Sequence, residues 1–218
     1  AKAERFVRAT MFELVNGQPV PYPNAEFQKR YQGVFGMTVD AQNRLWLIEP
    51  RGLDHERTRL LAFDLTSNTQ VFEHWFEPGQ AQFTQDLRVS PDGQTVYLAD
   101  TGLFQFTNAS LLVVYLASRT HRSLLSNEPA AQPEAWVTQR FDGKPHTLGY
   151  GLVSFTVGLD GIELSRDGQW LYFATMSHDS AYRMPTAALK DIKLSSAELS
   201  ATIQKIGNKP LSDGIALD

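Results

Sequence analysis

Three stretches of the chain carry one pattern of apolar and polar positions. "GMTVDAQNRLWLIEP" from Gly36, "DLRVSPDGQTVYLADTG" from Asp86 and "DGIELSRDGQWLYFATMS" from Asp160 each alternate, break at a polar turn, and resume with apolar and aromatic residues in alternation. A period of two puts one set of side chains on one face of a strand, and Asp-Gly or Gln-Asn at the break suits a tight turn. Each stretch is therefore predicted to be a β-hairpin. A second pair of alternating runs follows two of them, "RLLAFDLTSNTQVFEHWF" from Arg59 and "LLVVYLASRTHRSLLS" from Leu111, so the repeating unit has four strands.

Units open near Gly36, Asp86, Asp160 and, in "SDGIALD", near Asp213. A four-stranded unit cannot bury both faces alone; such units pack around an axis as the blades of a β-propeller. The expected fold is all-β, a six-bladed β-propeller of which this chain supplies roughly four blades. One domain is expected over residues 1–218, with blades at about 3–32 (partial), 33–82, 83–150 and 151–208 and the start of another at 209–218. Residues outside this sequence, or another chain, are expected to complete the ring. The stretch from Asn127 to Thr156, rich in Pro, Gly and polar residues, reads as a long insertion between blades, where function often resides. Thr186 is a candidate N-cap for a short Ala-Leu-rich helix, and "SSAELSATIQKIG" gives mixed signals.

Composition narrows the partners. Apolar residues make up 42% of the 218, enough for a core, and 20 basic against 24 acidic residues leave a net charge of −4. No basic run is long enough to follow a phosphate backbone, so nucleic acid is not an expected partner. "SLLVVYLA" falls well short of the roughly 20 apolar residues that span a bilayer. The absence of cysteine removes disulfides and thiolate metal sites.

The innermost strands of a propeller begin together at one mouth of its channel, and repeat alignment puts Asp86, Asp160 and Asp213 there. Glu49 and Asp100 end the returning strands "LWLIE" and "VYLAD" at the same mouth. Clustered carboxylates repel one another unless they take up protons or a cation, and Ca²⁺ accepts six to eight oxygen ligands. Asp86, Asp160 and Asp213 are the candidate metal ligands, with Ca²⁺ the cation expected. The competing reading is that an Asp before Gly accepts backbone N–H bonds and fixes its loop.

The histidines His55, His74, His121, His146 and His178 show no zinc-binding spacing. His178 alone follows the second strand of its unit, close to the acidic mouth, and with Asp213 it is a candidate acid–base group. Phe104 and Phe106 in "TGLFQFTN" are candidates, with Glu49 and Asp100, for lining a ligand pocket. Asn43, Asp92 and Asp167 sit in hairpin turns and read as structural. No G-x-S-x-G elbow is present, which argues against a serine hydrolase.

The segments "PVPYPNAEF", "LWLIEPRG", "VYLADTG", "DGIELSRDGQWLYFATMSHDSAYRMPTAALKD" and "SDGIALD" together resemble the major royal jelly protein and Yellow family, in its bacterial branch. The resemblance runs over nearly the whole chain. It implies a six-bladed propeller in a secreted or periplasmic setting; some relatives are linked to dopachrome conversion and others bind small amines. The family is distantly similar to the calcium-dependent lactonases of the gluconolactonase and senescence-marker type. Asp213 aligns with their metal-binding and base aspartate, Asp160 stands where they use asparagine, and Phe35 falls near their first metal-binding glutamate. The expected function is binding of a small organic molecule at the acidic mouth. The alternatives are a metal-dependent lactonase or dopachrome-tautomerase-like enzyme and a protein-interaction scaffold.

Overall fold

The computed structural model describes residues 11–29, 33–51, 57–102, 107–134, 140–141 and 143–217. The chain divides into two compact units, residues 1–82 and 83–218. Among the described residues there are three four-stranded antiparallel sheets, each a meander in which neighbours in sequence are neighbours in space. Among the described residues no helix is long and apolar enough to cross a membrane.

The sheet of the first unit comprises β1 (Met37–Val39), β2 (Arg44–Glu49), β3 (Arg59–Asp64) and β4 (Thr69–Trp75). Its two middle strands are buried on both faces, with Trp46, Leu47, Ile48, Leu60, Leu61 and Phe63 all solvent-free or nearly so. Asp40 closes the β1–β2 turn, its Oδ2 accepting from Trp46 Nε1 and Arg44 Nε at 2.7 Å each. A two-stranded hairpin (Phe12–Val15 with Gln18–Pro21) and a turn of helix, α1 (Ala25–Gln28), precede the sheet. They pack Tyr22 and Phe27 edge-on against Phe63. Met37 and Val39 on β1 remain 61% and 55% exposed, so this first strand has an uncovered apolar face.

Besides two two-stranded sheets within residues 140–154, the second unit holds two four-stranded ones. One comprises β5 (Thr84–Val89), β6 (Thr95–Asp100), β7 (Ser110–Tyr115) and β8 (Thr120–Leu124). The other comprises β9 (Leu159–Leu164), β10 (Trp170–Thr175), β11 (Ser180–Pro185) and β12 (Gln204–Asn208). A single apolar cluster runs through both, including Tyr97, Leu111, Val113, Ile162, Leu171, Phe173 and Met184. The repeat seen in the sequence recurs down to hydrogen bonds. Asp92 accepts from Gln94 N and Asp167 from Gln169 N, each at 3.0 Å, while the hydroxyls of Ser90 and Ser165 accept from Thr95 N and Trp170 N at 2.9 Å. Gly93 and Gly168 close the two turns at φ +68° and +69°, a conformation that costs little only for glycine. These aspartates are structural, as their turn positions suggest.

Two short helices, α2 (Thr186–Lys190) and α3 (Ser196–Ser200), interrupt the last sheet between β11 and β12. Thr186 is not the N-cap of α2: Pro185 holds that position, and the Thr186 hydroxyl donates instead to Gly168 O at 2.7 Å. The mixed signal after it resolves into a capping box, in which Ser195 and Glu198 each bond the other's backbone N–H. Replacing Ser195 with alanine is expected to lower stability by about 1 kcal/mol in urea denaturation.

Candidate functional site

β5 and β9 run beside each other at the junction of the second unit's sheets, and each begins with a bulge. Thr84 pairs with Asp100 and Asp86 with Ala99, leaving Gln85 extra; Leu159 pairs with Thr175 and Gly161 with Ala174, leaving Asp160 extra. The position equivalent to Asp86 is thus Gly161, and that of Asp160 is Gln85. Aligning Asp86 with Asp160 in the sequence is off by one residue: the turn aspartates Asp92 and Asp167 stand six residues after Asp86 but seven after Asp160, and the two strands carry the same bulge. The two aspartates reach the same neighbourhood from different positions.

Asp86 bridges the two inner strands. Its Oδ2 accepts from Ile162 N (3.1 Å) and its Oδ1 from Leu87 N (2.8 Å) and Arg88 Nη1 (2.6 Å). Arg88 reaches on to Glu163 at 3.0 Å, and these two residues occupy equivalent positions in their blades. Burial nevertheless pushes the Asp86 carboxyl up from its ordinary pKa, against the pull of Arg88.

Asp160 is 4% exposed, and its carboxyl hydrogen-bonds that of Asp213, which lies in an exposed stretch after β12. Gly161 makes the approach of that stretch possible, since a Cβ there would stand 2.9 Å from Gly214 Cα and Ile215 N. Burial first, then the hydrogen bond and charge of Asp213 and the charge of Asp86, push the Asp160 pKa up to about 8. A carboxyl with that pKa keeps its proton through most of the neutral range. The Lys209 ammonium opposes that shift, and its own pKa is lowered by burial. It donates to His178 O (2.9 Å) and Pro210 O (3.1 Å), joining this cluster to the loop after β10.

His178 is buried, with Nδ1 accepting from Ser180 N at 3.1 Å. Its Nε2 faces Tyr182 Oη at 3.4 Å and Glu134 Oε1 at 3.6 Å, and burial lowers its pKa. The insertion supplies Glu134. Gln132 bonds both Ala109 N and Ala109 O, and Glu134 N donates to Ser177 O at 2.9 Å, so the insertion begins pinned to the sheet.

The other predicted residues have different settings. Asp100 Oδ1 accepts from Phe83 N (3.2 Å) and Gly102 N (3.3 Å), the loop-fixing arrangement. Glu49 is fully buried in the first unit and paired with Arg59. Phe104 and Phe106 lie outside the described residues. The structure therefore brings together Asp86, Asp160 and Asp213, with His178 linked to them through Lys209. Sequence reasoning passed over Arg88, Glu134, Glu163, Asp179 and Lys209. The opposite charges at equivalent positions 88 and 163 were a readable signal for one pair; the rest depend on where the insertion and the segment after β12 come to lie.

Comparison with solved structures gives partial likenesses. Hydrazine synthase of Kuenenia stuttgartiensis superposes with a TM-score of 0.52 at 10% identity, over 88% of this chain and 52% of that one. A structure described as the Dos1 propeller gives 0.47 at 12% identity, over 91% and 38%. The periplasmic gluconolactonase PpgL of Pseudomonas aeruginosa gives 0.45 at 16% identity, over 77% and 41%. The chain spans about half the length of these proteins or less. No curated protein matches the sequence significantly. The sequence pattern of the family described as major royal jelly protein matches residues 32–217, so the chain belongs to the major royal jelly protein family.

Proposed function

We propose that the chain is a roughly four-blade part of a six-bladed propeller, secreted or periplasmic, that binds a small organic molecule at the cluster of Asp86, Asp160 and Asp213. The uncovered apolar face of β1 supports a further blade there. The observation that carries the binding reading is the buried Asp160 carboxyl held against the exposed Asp213 carboxyl. A buried carboxyl that holds its proton beside a second carboxyl can give that proton up when a ligand ammonium or hydroxyl takes its place.

Calcium, the cofactor expected from the sequence, meets a smaller donor set than the aspartates suggested. Asp86 is turned to Arg88 and two backbone N–H groups, which leaves Asp160 and Asp213. The described residues then offer two carboxylates, fewer donors than the six to eight oxygens that Ca²⁺ takes.

The proton that Asp160 holds favours one second reading, a tautomerase-like proton transfer. Asp160 would donate its proton to a ligand carbonyl oxygen while Asp213 accepts one from the neighbouring carbon, leaving the pair's proton count unchanged. Calorimetric titration of the small aromatic amine tyramine into the full-length chain tests the binding reading. Micromolar binding, weakened at least tenfold in Asp213→Asn, is the expected result. Calcium uptake without amine binding, lost in Asp160→Ala, would replace the reading with a metal-dependent one; binding of neither would leave the interaction scaffold.

A further inference from the structure

A second cluster of titratable side chains forms where the insertion crosses the loop after β10. His178 Nε2 stands 3.6 Å from Glu134 Oε1, and His178 Nδ1 stands 3.7 Å from Asp179 Oδ1. One ligand atom from each of the three residues lies within 4.8 Å of the other two. Donors about 2.0–2.2 Å from a tetrahedral zinc ion stand roughly 3.3–3.5 Å apart, so the widest pair must close by up to about 1.5 Å to bring these atoms onto one ion.

An independent observation points the same way. Glu134 Oε2 is shut off from solvent and has no hydrogen-bond partner. A carboxylate oxygen that is both dry and unbonded costs free energy unless a donor or cation satisfies it.

We infer that Glu134, His178 and Asp179 form a binding site for a divalent transition-metal ion of the zinc type. An imidazole among carboxylates suits zinc and its neighbours better than calcium, which takes oxygen ligands. Two carboxylates and a neutral imidazole balance the charge of the ion. Without the ion, the Ser180 N–H donated to Nδ1 leaves the ring hydrogen on Nε2, facing Glu134. An ion on Nε2 moves that hydrogen to Nδ1, on the side of the Asp179 carboxylate, and the Ser180 bond is lost. Asp179 then either ligates directly or holds the ring through its N–H, as carboxylates behind metal-bound histidines do. The lost bond and the nearby Lys209 ammonium both weaken the site, so micromolar rather than nanomolar affinity is expected. No ligand is shared with the Asp86–Asp160–Asp213 cluster, and the two sites stand or fall separately.

The test is calorimetric titration of zinc chloride into the chelator-stripped full-length chain, with ¹⁵N NMR of the histidine rings. Uptake of one ion at micromolar affinity is expected, at least tenfold weaker in Glu134→Gln and His178→Gln and unchanged in Asp160→Asn. The Nε2 resonance of His178 should move from a protonated to a metal-bound position. Glu134 is a quarter exposed, so Glu134→Gln carries the test if the buried His178→Gln variant fails to fold. Absence of uptake, or uptake undiminished in Glu134→Gln with unmoved His178 resonances, overturns the assignment.

Discussion

Replacing Arg59 with leucine is expected to destabilise the first unit by about 3–5 kcal/mol, the cost of taking the guanidinium away from a fully buried carboxylate. Glu49 is fully buried on β2, directly opposite Arg59 on β3, and takes the guanidinium's Nε–H. Arg59 also bonds Glu73 at 2.8 Å and lies over the Trp75 ring at 4.8 Å. Glu73 is a third exposed and can turn to water; Glu49 cannot. The double variant Glu49→Leu with Arg59→Leu should recover most of the loss, because removing both charges also removes their desolvation penalty. Urea denaturation followed by Trp fluorescence measures both steps. Equal losses in the single and double variants would mean that packing of the arginine stem, and not the buried charge, sets the cost.

Asp160→Asn is expected to flatten the pH dependence of stability. The folded state raises the Asp160 pKa to about 8 from an ordinary carboxylate value, so between about pH 4 and pH 8 the folded chain holds a proton that the unfolded chain releases. That contribution is complete below the unfolded pKa, is lost as pH rises through the folded value, and is gone above it. One proton gives a slope of at most about 1.4 kcal/mol per pH unit, so more than about 2 kcal/mol should separate pH 5 from pH 8. His178 works in the opposite direction below its ordinary pKa, since burial lowers its folded value. The difference between wild type and Asp160→Asn isolates the carboxyl pair, and asparagine can still donate to Asp213. Parallel stability curves for the two proteins between pH 5 and 9 would show that folding does not raise the Asp160 pKa.

The chain's patterning determined more of the fold than of the site. Alternation and Asp-Gly turns are local properties, so the hairpins at Asp86 and Asp160, the four-stranded units and the structural roles of Asp92 and Asp167 could be read without coordinates. The capping box at Ser195 was equally local and went unread among mixed signals. The proximity of Asp86, Asp160 and Asp213 was anticipated because repeats superpose. Their register was misread, although the six residues from Asp86 to Asp92 and the seven from Asp160 to Asp167 already showed that Asp86 matches Gly161. What each carboxylate does depended on partners and burial that alternation does not reveal: Arg88 and Ile162 N take up Asp86, burial and then Asp213 raise the Asp160 pKa, Arg59 pairs with Glu49, and backbone N–H groups hold Asp100. The sequence by itself determined the strands and their grouping, through short-range turn chemistry and period-two burial. Only the tertiary structure decided which charges meet, because ion pairing and burial are set by residues that the chain brings back from far along its length.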